Sequence, residues 1–344
     1  MASSAVTVDG EIAAGALGTT LVHEHFFVDL EVWLTEPKTE PERRLADAPV
    51  GPEIERELER DPFSVRDNLH LDDDELAAAE LSLFARAGGR SAVDLTPSDI
   101  GRDPARLRRL ALAARVQLIM GCGHYIEGAH PPELSARRED DLVAEMRREV
   151  LEGVPVDEGP PVRAGVIGEI GTSDPITPRE RKVLAAAAAV QGETGAPLFV
   201  HLDPWGRRGH DALDVAEAAG ADLARVALCH LDPTLPDTDY HRSLAERGAT
   251  VCYDIWGDEA GYGGKGMPTD AARMQALDAA IDQDWIDRVG LSHDVCTKTQ
   301  LRRFGGPGYA HLLENVVPAL ERRHGSELVS LLFEQTPQRL LAWA

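Results

Sequence analysis

Cysteine is scarce in this chain of 344 residues, and its four copies carry no metal or redox spacing. Cys122, Cys229, Cys252 and Cys296 stand far apart with no CxxC pair, so a reduced cytoplasmic protein with free thiols is the simplest account. Basic residues are also in the minority. Lys+Arg total 35 against Asp+Glu 59, a net charge of −24. Such a surface argues against nucleic acid and anionic membranes as partners. It does not exclude an anionic substrate, because bound metals make a local cationic site. The N-terminus has neither a basic stretch nor a long apolar one, so no signal peptide is expected. No apolar run is long enough to span a bilayer; the Ala-rich stretch 184–190 is short and flanked by charge. No internal repeat or low-complexity tract stands out.

What is present is a rhythm. Short apolar runs at 20–25, 91–95, 117–120, 164–169, 197–201, 225–230, 250–254 and 288–291 read as strands buried on both faces. Between them lie amphipathic segments of helix length at 104–115, 140–151, 178–195, 211–219, 269–282 and 309–324. Thr177-Pro178-Arg179-Glu180 carries a start signal, with Thr as N-cap, Pro at the first helical position and Glu at the third. Eight strands with intervening helices predict an α/β fold, a (β/α)8 TIM barrel, as one domain over residues 1–344. A doubly wound open sheet is the alternative. It is disfavoured because the first βα turn has no GxGxxG, and Gly15-Ala16-Leu17-Gly18 precedes the strand instead. Residues 36–74 break the rhythm with charge and proline, then turn helical at 52–60. They read as a long insertion after strand one that contributes to the pocket wall.

Active sites of such barrels lie at the C-terminal ends of the strands. Here those ends carry metal-ligand chemistry. His23-Glu24-His25 closes strand one, and alternation along a strand points both imidazoles the same way. Strand four ends in Glu169, strand five in His201 and strand six in His230, while strand eight runs into Ser292-His293-Asp294. One histidine at a strand end is ordinarily a satisfied core residue. Six such groups converging on one mouth are costly to bury without a partner, which points to a binuclear metal centre. Imidazole and carboxylate donors suit Zn²⁺ first here, with Mn²⁺, Co²⁺ or Fe²⁺ as the other ions. The chemistry that follows is metal-assisted hydrolysis: a carboxylate bridges two ions, a shared hydroxide is the nucleophile at neutral pH, and a second carboxylate moves its proton.

At this point the residues resemble a known family. His23-Glu24-His25, Gly121-Cys122-Gly123-His124-Tyr125, the segment 167–173 (Ile-Gly-Glu-Ile-Gly-Thr-Ser), the His201 and His230 strand ends, Leu291-Ser292-His293-Asp294 and the tail motifs 304–309 and 315–318 look like the phosphotriesterase family of the amidohydrolase superfamily. The resemblance runs over nearly the whole chain. It implies that His23, His25 and Asp294 hold one metal, His201 and His230 the other, and that Glu169 bridges them. The best-known members bridge with a carbamylated lysine; here the strand reads Val166-Ile167-Gly168-Glu169. A glutamate bridge marks the phosphotriesterase-related and homology-protein branch, and it needs no CO₂. The family includes organophosphate hydrolases, lactonases, carboxylesterases and N-acyl amide hydrolases, so membership does not name the substrate. A homodimer is one arrangement that relatives adopt.

Other residues carry paired readings. Tyr125 matches a family tyrosine near the bridging hydroxide, which implies that it orients the nucleophile or the substrate; the plainer reading is an aromatic wall. Asp254 either orients a metal-bound histidine or caps the loop at the barrel rim. His293 is a candidate substrate contact, although as Asp294's neighbour it is expected to face the other way. The glycine-rich stretch 256–267 suggests a mobile loop over the mouth. Trp256, Tyr262, Lys265, Lys298 and Arg302 are candidate substrate contacts there and beyond. Cys229 reads as packing, and a nucleophile triad around His201 has no evident serine partner. Three functions compete. The first is a binuclear hydrolase of a carboxyl derivative (lactone, ester or N-acyl amide) with Asp294 relaying the proton. The second is a phosphotriester hydrolase on the same site, and the third a non-enzymatic metal-dependent binding protein.

Overall fold

Each short apolar run becomes a strand. The computed structural model describes residues 3–261 and 265–343. It places β1 at Thr20–Glu24, β2 at Ser91–Asp94, β3 at Gln117–Met120, β4 at Ile167–Gly171, β5 at Leu198–His201, β6 at Val226–Cys229, β7 at Thr250–Tyr253 and β8 at Val289–Leu291. Apart from Gln117, every residue of these strands is buried. This explains why the runs are continuously apolar rather than alternating. All strand pairs are parallel, in the orders β1-β2-β3 and β4-β5-β6-β7-β8. Two seams close the ring. Gly165 N donates to Met120 O at 2.8 Å beside β3, and Asp294 N donates to His23 O at 3.3 Å beside β1. The closed barrel rules out the open sheet.

The helices α1 (Asp74–Arg86), α2 (Pro104–Ala114), α3 (Glu139–Leu151), α4 (Pro178–Thr194), α5 (Gly209–Ala218), α6 (Thr238–Glu246), α7 (Asp270–Asp282) and α8 (Val317–His324) follow the strands in turn. The expected capping box opens α4, with Thr177 and Glu180 bonding reciprocally and Pro178 at the start. The helix expected over 309–324 is not uniform: a π-helical segment, Leu312–Val316, precedes α8. Pro318 has no N–H to give the preceding turn, so the ladder widens there. No helix among the described residues is long and apolar enough to cross a membrane.

Inside the barrel, Val22, Val93, Ile119, Val166, Phe199 and Cys229 pack with Ala5, Leu17 and Leu340. The last three plug the lower end. They come from around an N-terminal hairpin, Ser4–Thr7 paired with Gly10–Ala13, and from a C-terminal helix, Thr336–Leu341. The hairpin's four-residue arms are too short to stand out in the sequence. At the other end, the insertion after β1 builds a two-stranded ribbon (Val28–Asp29 with His70–Leu71) and two short helices, Glu40–Ala46 and Glu55–Arg60.

Two bulges aim side chains at the mouth. Between β1 and β2 the pairs are Leu21 with Ala92 and Glu24 with Asp94, three residues against two. Val22 therefore stays in the barrel core while His23 and His25 also turn inward. Between β4 and β5 the pairs are Ile167 with Leu198 and Ile170 with Val200, again three against two. There the bulge turns Glu169 inward above Val166. Gly168, just before Glu169, has φ of +136°, and a Cβ on it would lie 2.5 Å from Phe199 O. Only glycine fits that position.

Candidate metal centre and cavity

His23, His25, Glu169, His201 and His230 meet at the C-terminal mouth, each at most 4% exposed. Asp294 joins them from just beyond β8, with its side chain 16% exposed. His230 and Asp294 sit at φ of +60° and +51°. Non-glycine residues rarely hold the left-handed region, and such backbone strain concentrates at functional positions.

The spacing of the donor atoms is that of a coordination shell. His23 Nε2 lies 3.3 Å from His25 Nε2. Asp294 Oδ1 lies 3.5 Å from the first and 3.2 Å from the second. Glu169 Oε2 is 3.5 Å from His23 Nε2, and its Oε1 is 3.6 Å from His25 Nε2. Ligands about 2.0–2.1 Å from a tetrahedral ion are separated from one another by roughly 3.3–3.4 Å. On the other side, His201 Nδ1 and His230 Nε2 lie 3.2 Å and 3.4 Å from Glu169 Oε2. The Glu169 carboxylate thus faces all four imidazoles.

On His23 and His25 the outer nitrogens are already occupied. Asp254 Oδ2 accepts from His23 Nδ1 at 2.8 Å, and Thr96 Oγ1 pairs with His25 Nδ1 at 2.9 Å. Those bonds leave each Nε2 free to face inward as a donor of electrons. Asp254 Oδ1 also accepts from the His230 backbone N at 2.9 Å, so one carboxylate braces two strand ends. Behind it, Asp254 N donates to Asp232 Oδ1 at 2.9 Å, and Arg273 Nε donates to Asp232 Oδ2 at 2.7 Å. Burial raises Asp232 above the usual carboxylate range, against the pull of Arg273. Burial likewise opposes charge on His23, yet Glu169, Asp294 and Asp254 outweigh it and push that imidazole up to about 9. A field this negative, on donors at these distances, suits a divalent cation.

Above the cluster, a cavity opens to the solvent. Its floor is His25, Glu169, His201, His230 and Asp294. Its walls are largely apolar: Leu30, Trp33 and Phe63 from the insertion, Tyr125 after β3, Trp205 after β5, and Ile255 and Met267 after β7. The Tyr125 ring stands edge-on to His201, with centroids 4.8 Å apart.

Four expected substrate contacts lie elsewhere. Trp256 is fully buried in the packing between strands and helices, because the chain turns outward after Asp254. His293 spends both ring nitrogens on structure: Nδ1 donates to Glu24 Oε1 at 2.7 Å, and Nε2 accepts from Leu312 N at 3.0 Å. Arg302 donates to Pro307 O at 2.6 Å and pairs with Glu314 on the outer surface. Lys298 is held by Asp67 at 2.6 Å. Lys265 remains near the rim, its Nζ 4.5 Å from the centre of the Trp205 ring. Tyr262 lies outside the described residues. Cys229 packs inside the barrel. The aromatic residues Trp33 and Phe63 carried no periodic or motif signal and were missed. Arg273 gave no signal either, since a helical arginine reads as solvated.

The chain is 34% identical to a phosphotriesterase-related protein of Nematostella vectensis over 333 residues, covering 93% of this chain and 92% of that one. It is 33% identical to an N-acetyltaurine hydrolase of Danio rerio over 343 residues, covering 98% and 97%. Among solved structures, a resiniferatoxin-binding protein from Rhodobacter sphaeroides superposes with a TM-score of 0.94 at 42% identity, covering 98% of this chain and 95% of that one. The model of the phosphotriesterase family matches residues 3–341, and the chain belongs to that family of metal-dependent hydrolases.

Proposed function

We propose that the protein is a binuclear metal-dependent hydrolase of a carboxyl derivative: a lactone, a carboxylic ester or an N-acyl amide. The observation that carries this reading is the Glu169 carboxylate, which faces His23 and His25 on one side and His201 and His230 on the other. His23, His25 and Asp294 would hold one ion, His201 and His230 a second, with Glu169 between them. Zinc is the ion the donor set suits first. When bound, such ions bring the pKa of water near 7 and polarise a carbonyl.

The remaining work falls to the chain. Asp294, the most exposed of the six, takes the proton of the attacking water and passes it to the leaving group. Tyr125, kept un-ionised by burial and by the charge of Glu169, is a donor to the substrate in the cavity. The apolar walls exclude water from the carbonyl and bind its substituents. The N-acetyltaurine hydrolases among the relatives support a carbonyl substrate over a phosphoryl one.

The test is metal content per chain alongside hydrolysis of lactones, carboxylic esters, N-acyl amino and sulfonic acids and a phosphotriester. About two ions and a preference for one carboxyl class are expected. A kcat/KM for the phosphotriester far above all others would replace the substrate class. A protein that binds no metal after reloading would overturn the site.

A further inference from the structure

Tyr125 is held at its backbone N, its carbonyl and its phenol oxygen. Its backbone N donates to the Asp99 carboxylate at 3.0 Å and 3.2 Å. Its carbonyl accepts from His130 Nε2 at 2.7 Å. Its phenol oxygen accepts from Trp33 Nε1 at 3.1 Å. The ring edge is fixed against His201. Among the described residues, Tyr125 Oη makes no further hydrogen bond, and its own proton has no acceptor there.

An indole N–H can only donate. Trp33 therefore occupies one lone pair of the phenol and cannot receive the phenol's proton. The O–H must rotate away from Trp33. Both residues line the cavity above the metal-type cluster, so the direction left open is into that cavity. Trp33 belongs to the insertion after β1 and Tyr125 to the loop after β3, so the bond also ties the insertion to the barrel mouth.

We infer that Trp33 is a positioning residue for catalysis: its indole N–H turns the Tyr125 hydroxyl proton into the cavity, where it donates to the carbonyl oxygen or leaving group of the substrate. The inference rests on the hydrolase reading above. The alternative role for Trp33 is a wall contact alone, which would act on substrate binding rather than on turnover.

The test is a double-mutant cycle on the metal-loaded protein with the best substrate of the panel, plus an NMR measurement that needs no activity. Tyr125→Phe should lower kcat on the order of 100-fold, as loss of one oriented donor does. Trp33→Phe keeps an aromatic wall but removes the N–H, and should lower kcat about tenfold with KM within about twofold. Because both act through one proton, the double variant should be no slower than Tyr125→Phe. In ¹⁵N-labelled protein without substrate, the indole signal lost in Trp33→Phe should move upfield in Tyr125→Phe. Multiplying effects on kcat, or a KM effect alone from Trp33→Phe, would overturn the inference. So would an indole signal that ignores Tyr125→Phe. A wild-type protein that hydrolyses nothing would instead remove the hydrolase reading, and the catalytic use of the proton with it, while the NMR result still judged the contact.

Discussion

Glu24 accepts a 2.7 Å hydrogen bond from His293 Nδ1, although the two residues lie 269 positions apart. Glu24 stands between the ligand-type residues His23 and His25, and so faces the opposite way. There its carboxylate also accepts from Ser292 Oγ at 2.8 Å, His293 N at 3.0 Å and Val295 N at 3.1 Å. These bonds hold the turn that carries Asp294 at its positive φ. In Glu24→Gln one acceptor oxygen becomes an NH₂ that must face an N–H or a hydroxyl. The expected loss is about 1.5–3 kcal/mol of stability, with about 10- to 100-fold weaker metal retention from the misplaced Asp294. Thermal unfolding and metal content after dialysis measure both. An unchanged Tm with full metal retention would remove Glu24 from this role.

The barrel and the cluster of metal-type residues at its mouth were legible because both rest on local rules. A strand buried on both faces is a short apolar run, and a ligand at a strand end is the polar residue that stops the run. His23, His25, Glu169, His201 and His230 all announce themselves in that way. The two bulges were not legible, since an extra residue in one strand shows only against its partner. The individual wall residues were not legible for a related reason. Trp33 and Phe63 lie in an irregular insertion where no periodicity assigns a face, and Trp256 sits in a glycine-rich loop yet turns into the core. Arg273 and Asp232 carry no signal in the sequence, and only the fold shows that they are a buried pair behind Asp254.

Asp294→Asn separates holding from proton transfer. Asn keeps the side-chain volume and one ligating oxygen but cannot take a proton. General acid–base catalysis contributes about 10²- to 10⁴-fold, so kcat should fall by about that factor while metal content is retained. Combined metal analysis and steady-state kinetics decide it. Full activity in this variant would end the relay assignment.

His124 predicts a pH dependence of stability away from the metal-type cluster. Its ring, 3% exposed, lies 3.6 Å from Asp99 and 3.8 Å from Glu145. Burial opposes its charge, but these two carboxylates outweigh it and push the imidazole up to about 9. A histidine whose pKa is raised on folding binds more protons in the folded state. Its contribution is complete below the unfolded value near 6.5 and is lost as pH rises through about 9. Unfolding free energy should therefore decline between those limits, by on the order of 3 kcal/mol. His124→Asn should flatten the decline, and chemical denaturation from pH 6 to pH 9.5 reads it. Parallel declines in both proteins would assign the slope to other groups.

The walls make a prediction about substrate charge. Among the described residues that line the cavity there is no lysine or arginine, and the chain as a whole carries −24. An anionic amide such as N-acetyltaurine must then bring its charge to the mouth, where Lys265 lies over the Trp205 ring. An uncharged ester or lactone with an apolar substituent meets only favourable walls, at roughly 25 cal/mol per Å² of apolar surface removed from water. Its kcat/KM should exceed that of N-acetyltaurine by about tenfold or more, since about 1.4 kcal/mol corresponds to a factor of ten. Lys265→Ala should lower kcat/KM for the anion by about two- to fivefold, the worth of a solvent-screened charge contact, and leave the neutral substrate unchanged. If N-acetyltaurine instead proves the better substrate and Lys265→Ala does not affect it, the charge must be met elsewhere, and the apolar walls do not set the preference.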